Sequence, residues 1–289
     1  MTVRSWRARR ILALAACALV LNAGTARAGV SPSGALDVPT PYLPSTQLDV
    51  EEMLRLAAVG PKDVVIDLGS GDGRVVITAA RQLGARGFGV DIDEKLVAHA
   101  NDNAREAGVA DRVKFFKRDV FATDVREATV VTMYLLTSLV NRLQPKLLAE
   151  LKPGTRIVAH DYGFDGWKPD RIVKVSKTFY LYIVPAQVAG RWKLELPLPD
   201  GTREYPFELK QQIQEISGGA QVQGGYLPLF DARLTGERIS FVLVDRQQSF
   251  HFEGRATNRL MQGTLRTGLG STHREHRWRA TRVLRLGES

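Results

Sequence analysis

The hydrophobic pattern of this chain changes character near residue 167. Between residues 63 and 161, short apolar runs alternate with longer stretches of helical periodicity. The runs predict strands at 64–68, 87–92, 112–117, 129–135 and 156–160, and the stretches between them predict helices at 74–83, 94–107 and 138–151. Continuous apolar strands separated by helices are typical of a parallel sheet covered on both faces. We therefore predict an α/β fold with a doubly wound, mostly parallel, Rossmann-like sheet.

The second half of the chain carries a different pattern. A strand predicted at 178–184 is followed by short strand-like segments at 192–196, 205–209, 213–216, 239–244, 250–252, 260–265 and 278–281. Glycines punctuate them and predict turns, at 218–219, 224–225, 236, 254, 263 and 270. Several short strands at regular spacing predict an antiparallel β domain, either a small barrel or a sandwich. We place the α/β domain at 48–186 and a β-rich domain of unknown role at 187–289.

The first 28 residues are typical of a targeting segment. An arginine-rich start precedes the apolar run 11–21, and Ala26-Arg27-Ala28 supplies a small-x-small cleavage pattern. Eleven apolar residues make about 16 Å of helix, too short for a bilayer core of about 30 Å. The pattern favours a signal peptide or N-terminal anchor at 1–28, followed by an extended lead-in at 29–47.

Three other interpretations of this segment stay open. They are a lipobox ending at Cys17, a mitochondrial presequence and a twin-arginine signal at Arg9-Arg10. Export predicts a location in the periplasm or cell envelope, with membrane association through the N-terminal segment. A cytosol-facing or mitochondrial location is the alternative.

Composition narrows the class of partner. The formal net charge is +9, but five of these charges are arginines within residues 1–28. The remaining surface is too balanced to predict nucleic-acid binding. A single cysteine excludes a disulfide framework and a thiolate-rich metal site, and we expect no metal. The sequence leaves the oligomeric state open.

A glycine-rich loop follows the first predicted strand. It reads Asp67-Leu68-Gly69-Ser70-Gly71-Asp72-Gly73. Glycines at this point let the backbone approach a ligand, and the next helix presents free N–H groups. The spacing Gly-x-Gly-x-Gly differs from the dinucleotide fingerprint. The added acid at position 67 suits a ligand that carries a positive group.

Acidic residues also follow the next two strands. Asp91 ends the second strand, where a carboxylate can bind both hydroxyls of an adenosine ribose. Asp119 ends the third, where it can accept from an adenine amino group while Val120 or Phe121 covers the ring. The alternatives are structural: Asp91 as a helix cap, Asp119 as a turn residue and residues 67–73 as a turn without a ligand.

With these residues in place, positions 48–161 resemble a class I S-adenosylmethionine-dependent methyltransferase. Residues 67–73 match its glycine loop, Asp91 its ribose acid and Asp119 its adenine-side acid. Pro41-Tyr42-Leu43-Pro44, residues 67–74 and Trp167 further resemble the ATP-synthase c-subunit lysine methyltransferases and their bacterial relatives. The resemblance implies S-adenosylmethionine as cofactor, held by Asp67, Gly69, Ser70, Gly71, Asp72, Gly73, Asp91, Asp119 and Val120. It also implies transfer to a lysine of a protein substrate.

The sequence departs from that closer family after the fourth strand, which reads Tyr134-Leu135-Leu136, and in its β-rich extension. We expect Tyr42 and Tyr134 to line the channel for the acceptor and Asp161 to orient its amine or accept its proton. The structural alternatives are an aromatic anchor for Tyr42, a core aromatic for Tyr134 and a satisfied pair for His160-Asp161.

Two other functions stay open at this point. One is methylation of a small molecule or lipid head group. The other is a non-catalytic envelope binding protein that retains a nucleoside-binding fold as a scaffold. Export also conflicts with the cytosolic origin of S-adenosylmethionine.

Overall fold

The computed structural model describes residues 43–198, 201–246, 248–267 and 274–283, and these residues form two β-sheets. The helices are α1 (Gln47–Leu56), α2 (Arg74–Leu83), α3 (Glu94–Glu106) and α4 (Thr137–Glu150). The strands of the first sheet are β1 (Val64–Leu68), β2 (Arg86–Asp91), β3 (Val113–Lys117), β4 (Val130–Met133), β5 (Arg156–His160), β6 (Arg171–Lys174) and β7 (Thr178–Ile183). The targeting segment and most of the lead-in lie outside the described residues.

The first sheet has the predicted doubly wound architecture. Its strands are ordered β3-β2-β1-β4-β5-β7-β6, and all neighbouring pairs are parallel except those made by β7. All five residues of β1 are buried, because helices cover both faces of the sheet. The carboxyl ends of β1, β2, β4 and β5 therefore meet along one edge.

Local sequence explains where the helices begin. Thr46 and Asp49 form a capping box at the start of α1, in which the Asp49 N–H donates to Thr46 Oγ1 at 3.2 Å. Asp93 caps α3 by accepting from the Lys95 N–H at 2.8 Å. The cap of α3 is thus Asp93, and the structural alternative that gave this role to Asp91 is wrong.

The second sheet is a nearly closed antiparallel barrel, which decides between the predicted barrel and sandwich. Its strands are β8 (Gly190–Leu198), β9 (Gly201–Gln212), β10 (Glu215–Val222), β11 (Gly225–Pro228), β12 (Phe230–Thr235), β13 (Arg238–Asp245), β14 (Gln248–Ala256), β15 (Leu260–Thr267) and β16 (Arg274–Arg282). Strands β8 to β11 pair in succession, strands β12 to β16 do the same, and β16 pairs with β8. Only Leu229 separates β11, which pairs with β10, from β12, which pairs with β13. The barrel is filled by apolar side chains, including Trp192, Phe207, Phe241, Phe252 and Trp278.

Several glycines of the barrel were predicted as turns and lie inside strands instead. Gly254 and Gly263 face each other across β14 and β15. A Cβ at Gly254 would lie 2.9 Å from Cζ2 of the buried Trp278 and would also meet the Gln262 carbonyl. The missing side chain of Gly254 leaves room for the Trp278 indole, and both glycines let the backbones of β14 and β15 lie close together. The turn prediction is therefore wrong for them. Gly218 and Gly219 likewise lie within β10.

The barrel joins the first sheet at the edge where β5 begins. The Ala186 N–H donates to the Gly236 carbonyl at 2.8 Å, and a Cβ at Gly236 would lie 3.2 Å from Gly154 Cα. The β9–β10 turn makes a further contact, from Gln214 Nε2 to the Lys168 carbonyl at 2.5 Å. Within the described part of the chain, no helix is both long and apolar enough to cross a membrane.

Candidate active site

The glycine loop connects the end of β1 to the start of α2. Gly69, Gly71 and Gly73 have φ values of +84°, +52° and +84°, in the left-handed region that glycine adopts without strain. A Cβ at Gly73 would lie 2.6 Å from Cζ of Phe115. The chain therefore needs glycine here both for its conformation and for the close approach of β3. The loop lies at the carboxyl edge of the sheet, where doubly wound folds bind their ligands in a crevice outside the strand ends.

Asp67 lies beneath this loop and is buried. Thr132 Oγ1 donates to Asp67 Oδ1 at 2.6 Å, across the β1–β4 pair. Burial raises the pKa of Asp67 to about 7, and the charges of Asp91 and Asp72 add to this, although the Thr132 bond opposes it. A positively charged ligand in the crevice would favour the ionised carboxylate.

The other two strand-end acids lie along the same edge. Asp91 Oδ2 accepts from the Gly71 N–H at 2.9 Å, so this side chain faces the glycine loop. Asp119 Oδ1 accepts from the Phe121 N–H at 2.8 Å and caps a short 3₁₀ helix, Val120–Ala122. Since β3, β2 and β1 are neighbours, the backbone positions of Asp119, Asp91 and Asp67 lie along one edge of the sheet. Asp119 also has the turn role that was its structural alternative.

The remaining predicted loop residues differ in their surroundings. The Asp72 carboxylate accepts from Arg74 Nε at 2.9 Å, and Arg74 also donates to the Ser45 carbonyl. Ser70 Oγ is buried without a hydrogen-bond partner among the described residues. Val120 is half-buried at the start of the short 3₁₀ helix. The structure thus leaves Ser70 with an unused donor.

A second group of side chains lies where β4 and β5 end. We call Tyr134, His160, Asp161 and Lys177 the strand-end cluster. The Tyr134 ring stacks on His160 with 3.9 Å between centroids, and its hydroxyl donates to Asp161 Oδ2 at 3.2 Å. Lys177 Nζ donates to the same oxygen at 2.9 Å. The cluster places a carboxylate, a phenol and an amine within one hydrogen-bonded group.

Backbone and burial fix this cluster. Asp161 has φ +59° and is held by the Thr178 N–H, which donates to its Oδ1 at 3.1 Å. His160 is buried, and its Nδ1 lies 2.9 Å from Ser45 Oγ. Ser45 thereby brings the end of the lead-in to the cluster. Tyr42, the other predicted channel residue, lies outside the described residues.

Burial and charge set the protonation of the cluster. Burial lowers the pKa of His160, which outweighs the opposing effect of Asp161, so the imidazole is neutral near pH 7. Burial alone would raise the pKa of Asp161, but the bonds from Lys177 and the Thr178 N–H lower it below its usual value. The bond to Asp161 raises the pKa of Lys177. The cluster is therefore an ion pair beside a neutral aromatic stack.

The sequence analysis did not predict that Ser45 and Lys177 belong to this site, and it did not predict that His160 stacks on Tyr134. Lys177 lies in the turn between β6 and β7, and β6 itself was missed because its exposed sequence Arg171–Lys174 lacks an apolar run. Trp167 packs in the core with Phe164 and Tyr182.

The crevice fits S-adenosylmethionine, the cofactor that the resemblance implies. The cofactor carries a positive sulfonium and an amino group, and the crevice offers the buried acid Asp67 and a second acid, Asp91. Ser70 Oγ supplies an unused polar atom. A Cβ at Gly69 would meet Leu135 and one at Gly73 would meet Phe115, so the course of the loop depends on glycine at both positions. The donor set therefore suits this ligand better than a pyrophosphate.

Comparisons with known proteins agree with this geometry. A family model, the ANTKMT methyltransferase domain, matches residues 67–171. A protein-lysine N-methyltransferase of Saccharolobus islandicus is 43% identical over 150 residues, which cover 50% of this chain and 93% of the relative. An ATP-synthase c-subunit lysine N-methyltransferase of Mus musculus is 33% identical, over 51% of this chain and 59% of the relative.

Among solved structures, an RNA methyltransferase from Salinibacter ruber in complex with S-adenosyl-L-homocysteine is 50% identical, with a TM-score of 0.50. The match covers 50% of this chain and 96% of that chain. The family model ends at residue 171, before the first strand of the barrel. The chain is an enzyme that uses S-adenosylmethionine, and it belongs to the methyltransferase family of the ANTKMT domain.

Proposed function

We propose that this methyltransferase transfers its methyl group to the side-chain amine of a lysine in a protein. One observation carries the proposal: the strand-end cluster already holds a lysine amine. Asp161 Oδ2 accepts from Lys177 Nζ at 2.9 Å, and that nitrogen lies 6.0 Å from the centroid of the Tyr134 ring. A carboxylate beside the face of an aromatic ring is a favourable environment for an ammonium group.

The position of the cluster supports an acceptor role. Leu135 follows Tyr134 and packs on the glycine loop, since a Cβ at Gly69 would lie 2.8 Å from Leu135 Cδ2. The cluster therefore adjoins the cofactor crevice across the β1–β4 pair. When bound, S-adenosylmethionine supplies an electrophilic methyl group on a sulfonium sulfur. Holding the acceptor nitrogen about 3–3.5 Å from that carbon provides much of the rate acceleration.

The cluster residues have distinct tasks in this proposal. Asp161 binds and orients the incoming amine, which must lose a proton because the reference pKa of lysine is about 10.4. Tyr134 and the buried His160 form an aromatic wall beside the amine. The Tyr134 hydroxyl and the Thr178 N–H keep Asp161 oriented.

The rim of the cluster suits a macromolecular acceptor. Leu136, Tyr162 and Val175 are 44%, 38% and 64% exposed, and Tyr162 stacks toward Tyr134 at 6.3 Å. Exposed apolar side chains around a polar centre are typical of interaction sites. The relatives named above as lysine methyltransferases also support a protein acceptor, including a membrane protein if the N-terminal segment anchors the chain.

Transfer of a labelled methyl group to a cell extract tests the proposal. The full chain is incubated with radiolabelled S-adenosylmethionine, and the products are separated into protein, lipid, nucleic-acid and small-molecule fractions. We expect label in protein, recovered as methyllysine after hydrolysis. Label confined to lipid, RNA or small molecules would contradict the lysine assignment. Absence of any cofactor binding by calorimetry would support a non-catalytic protein.

Two variants assign this transfer to the cluster. Asp161→Asn removes a charge-assisted hydrogen bond worth about 1.5–3 kcal/mol, so we expect transfer to fall at least tenfold. Asp165→Asn is the matched control, because Asp165 lies on the same loop but bonds only to Asn141 among the contacts described. Equal loss in both variants would remove Asp161 from the proposed site.

A further inference from the structure

The amine in the strand-end cluster belongs to the chain itself. Lys177 occupies on Asp161 the place that the proposed function gives to the substrate amine. Its side chain is 43% exposed, so it is reached by solvent and has room to move. Its neighbour Thr178 is fixed, because the Asp161 N–H donates to the Thr178 carbonyl at 2.7 Å. A fixed backbone with a mobile four-carbon side chain holds the amine permanently near the acceptor site.

Consecutive residues link the cluster to the glycine loop. The Tyr134 hydroxyl donates to Asp161, which also accepts from Lys177 Nζ, and the next residue, Leu135, packs on Gly69. Lys177 therefore shares its carboxylate partner with the residue that precedes the loop contact. No external protein needs to dock before this nitrogen is present, so its effective concentration at the site is high.

We propose that Lys177 is a site of self-methylation. The inference rests on the proposed lysine specificity. In the reaction, the lone pair of deprotonated Lys177 Nζ forms a bond to the methyl carbon, while the carbon–sulfur bond breaks and its electron pair remains on sulfur. The proton lost beforehand from Nζ passes to water at the exposed side of the turn. The products are methyl-Lys177 and S-adenosylhomocysteine.

A purely structural ion pair makes a different prediction. If Lys177 only orients Asp161, its amine stays on the carboxylate and remains unmodified. Lys174 provides a matched comparison, since it is an exposed lysine on β6, three residues away, with no ion pair to Asp161 among the described contacts. Self-methylation should therefore mark Lys177 and spare Lys174.

Peptide mapping by mass spectrometry tests the assignment on the full chain incubated with S-adenosylmethionine alone. We expect methylation at Lys177, at a rate per molecule that is independent of protein concentration. Because the ion pair keeps Lys177 protonated, the rate should rise about tenfold per pH unit between pH 7 and 9. Lys177→Arg should abolish the label, and Lys174→Arg should leave it unchanged. A rate per molecule proportional to protein concentration would overturn transfer within one chain.

A second measurement needs no cofactor. Acetic anhydride modifies neutral amines, so Lys177 held by Asp161 should react several-fold more slowly than Lys174. Asp161→Asn should remove this difference. Equal reactivity of the two lysines in the unmodified chain would show that the amine does not reside on the carboxylate and would overturn the inference.

The two proposals fail in distinguishable ways. Methyllysine in extract proteins with unmodified Lys177 would refute self-methylation and leave the proposed function standing. Label in neither the extract proteins nor Lys177, from a chain that binds the cofactor, would refute both.

Discussion

Asp67 gives the sharpest test of how the crevice works. Its carboxylate is buried under the glycine loop, and its pKa is raised to about 7 from an ordinary value of 3.8. The folded chain therefore holds a proton that the unfolded chain has released between about pH 4 and pH 7. Stability falls as pH rises through this interval, because the charge must be buried. We predict that Asp67→Asn, which removes the charge, stabilises the cofactor-free chain.

The size of the effect depends on pH. A shift of this magnitude corresponds to about 4 kcal/mol at pH 8 and to about 2 kcal/mol at pH 5.5, where the folded group is still protonated. Urea unfolding of the two chains should therefore show a stability gap that widens by about 2 kcal/mol between these pH values. Asp111→Asn is the control, because the Asp111 carboxylate is exposed and its substitution should not produce this pH-dependent gap in stability.

The same substitution should impair the site. S-adenosylmethionine is positively charged, so loss of the Asp67 charge should weaken binding at least tenfold by calorimetry, given about 1.5–3 kcal/mol for a charge-assisted contact. In the unmodified chain, affinity should rise as pH increases from 6 to 8. A stability gap that is equal at both pH values, or binding unchanged in Asp67→Asn, would refute the reasoning.

Three further predictions concern other parts of the chain. Asp91→Ala should weaken S-adenosylhomocysteine binding at least tenfold by calorimetry. The control Asp93→Ala should instead lower the stability by about 1 kcal/mol, because it removes the cap of α3. Equal affinities of the two variants would contradict the role of Asp91 in binding the ribose. Gly73→Ala should lower stability by about 1–3 kcal/mol in urea unfolding, because its Cβ would meet Phe115 at φ +84°; an unchanged midpoint would contradict this. N-terminal sequencing of the native protein should find Gly29 first in an envelope fraction; an intact Met1 in the cytosol would contradict export.

The first sheet was predictable because its signals are local. The bounds of β1, α2 and β5 match the prediction, since each begins at a sharp change from turn residues to apolar or helical pattern. Asp67, Asp91 and Asp119 could be predicted as a group because they lie at or just after the ends of β1, β2 and β3. A strand end is visible in sequence, and parallel strands bring their ends together.

The strand-end cluster was less predictable because its contacts are long-range. Ser45 Oγ and His160 Nδ1 are in contact although 115 residues separate them in the sequence, and no local sequence pattern predicts such a contact. Lys177 lies in the turn that follows β6, so its position depends on that strand. The exposed edge strand β6 was not predicted because basic residues at both of its ends leave no apolar run. Gly254 and Gly263 were wrongly predicted as turns for a similar reason: the missing side chain of Gly254 makes room for Trp278 on β16, and that of Gly263 makes room for the backbone of β14. The division of the chain at 186 and 187 stays a prediction.

The attachment of the barrel has a consequence for how the enzyme handles large acceptors. The barrel is rooted where β5 starts, and Asp161 follows its last residue, His160, about 16 Å away along the strand. The rim side chains, and not the attachment point of the barrel, therefore border the approach of an acceptor to Asp161. An acceptor that touched both the attachment point and Asp161 would have to span the length of this strand.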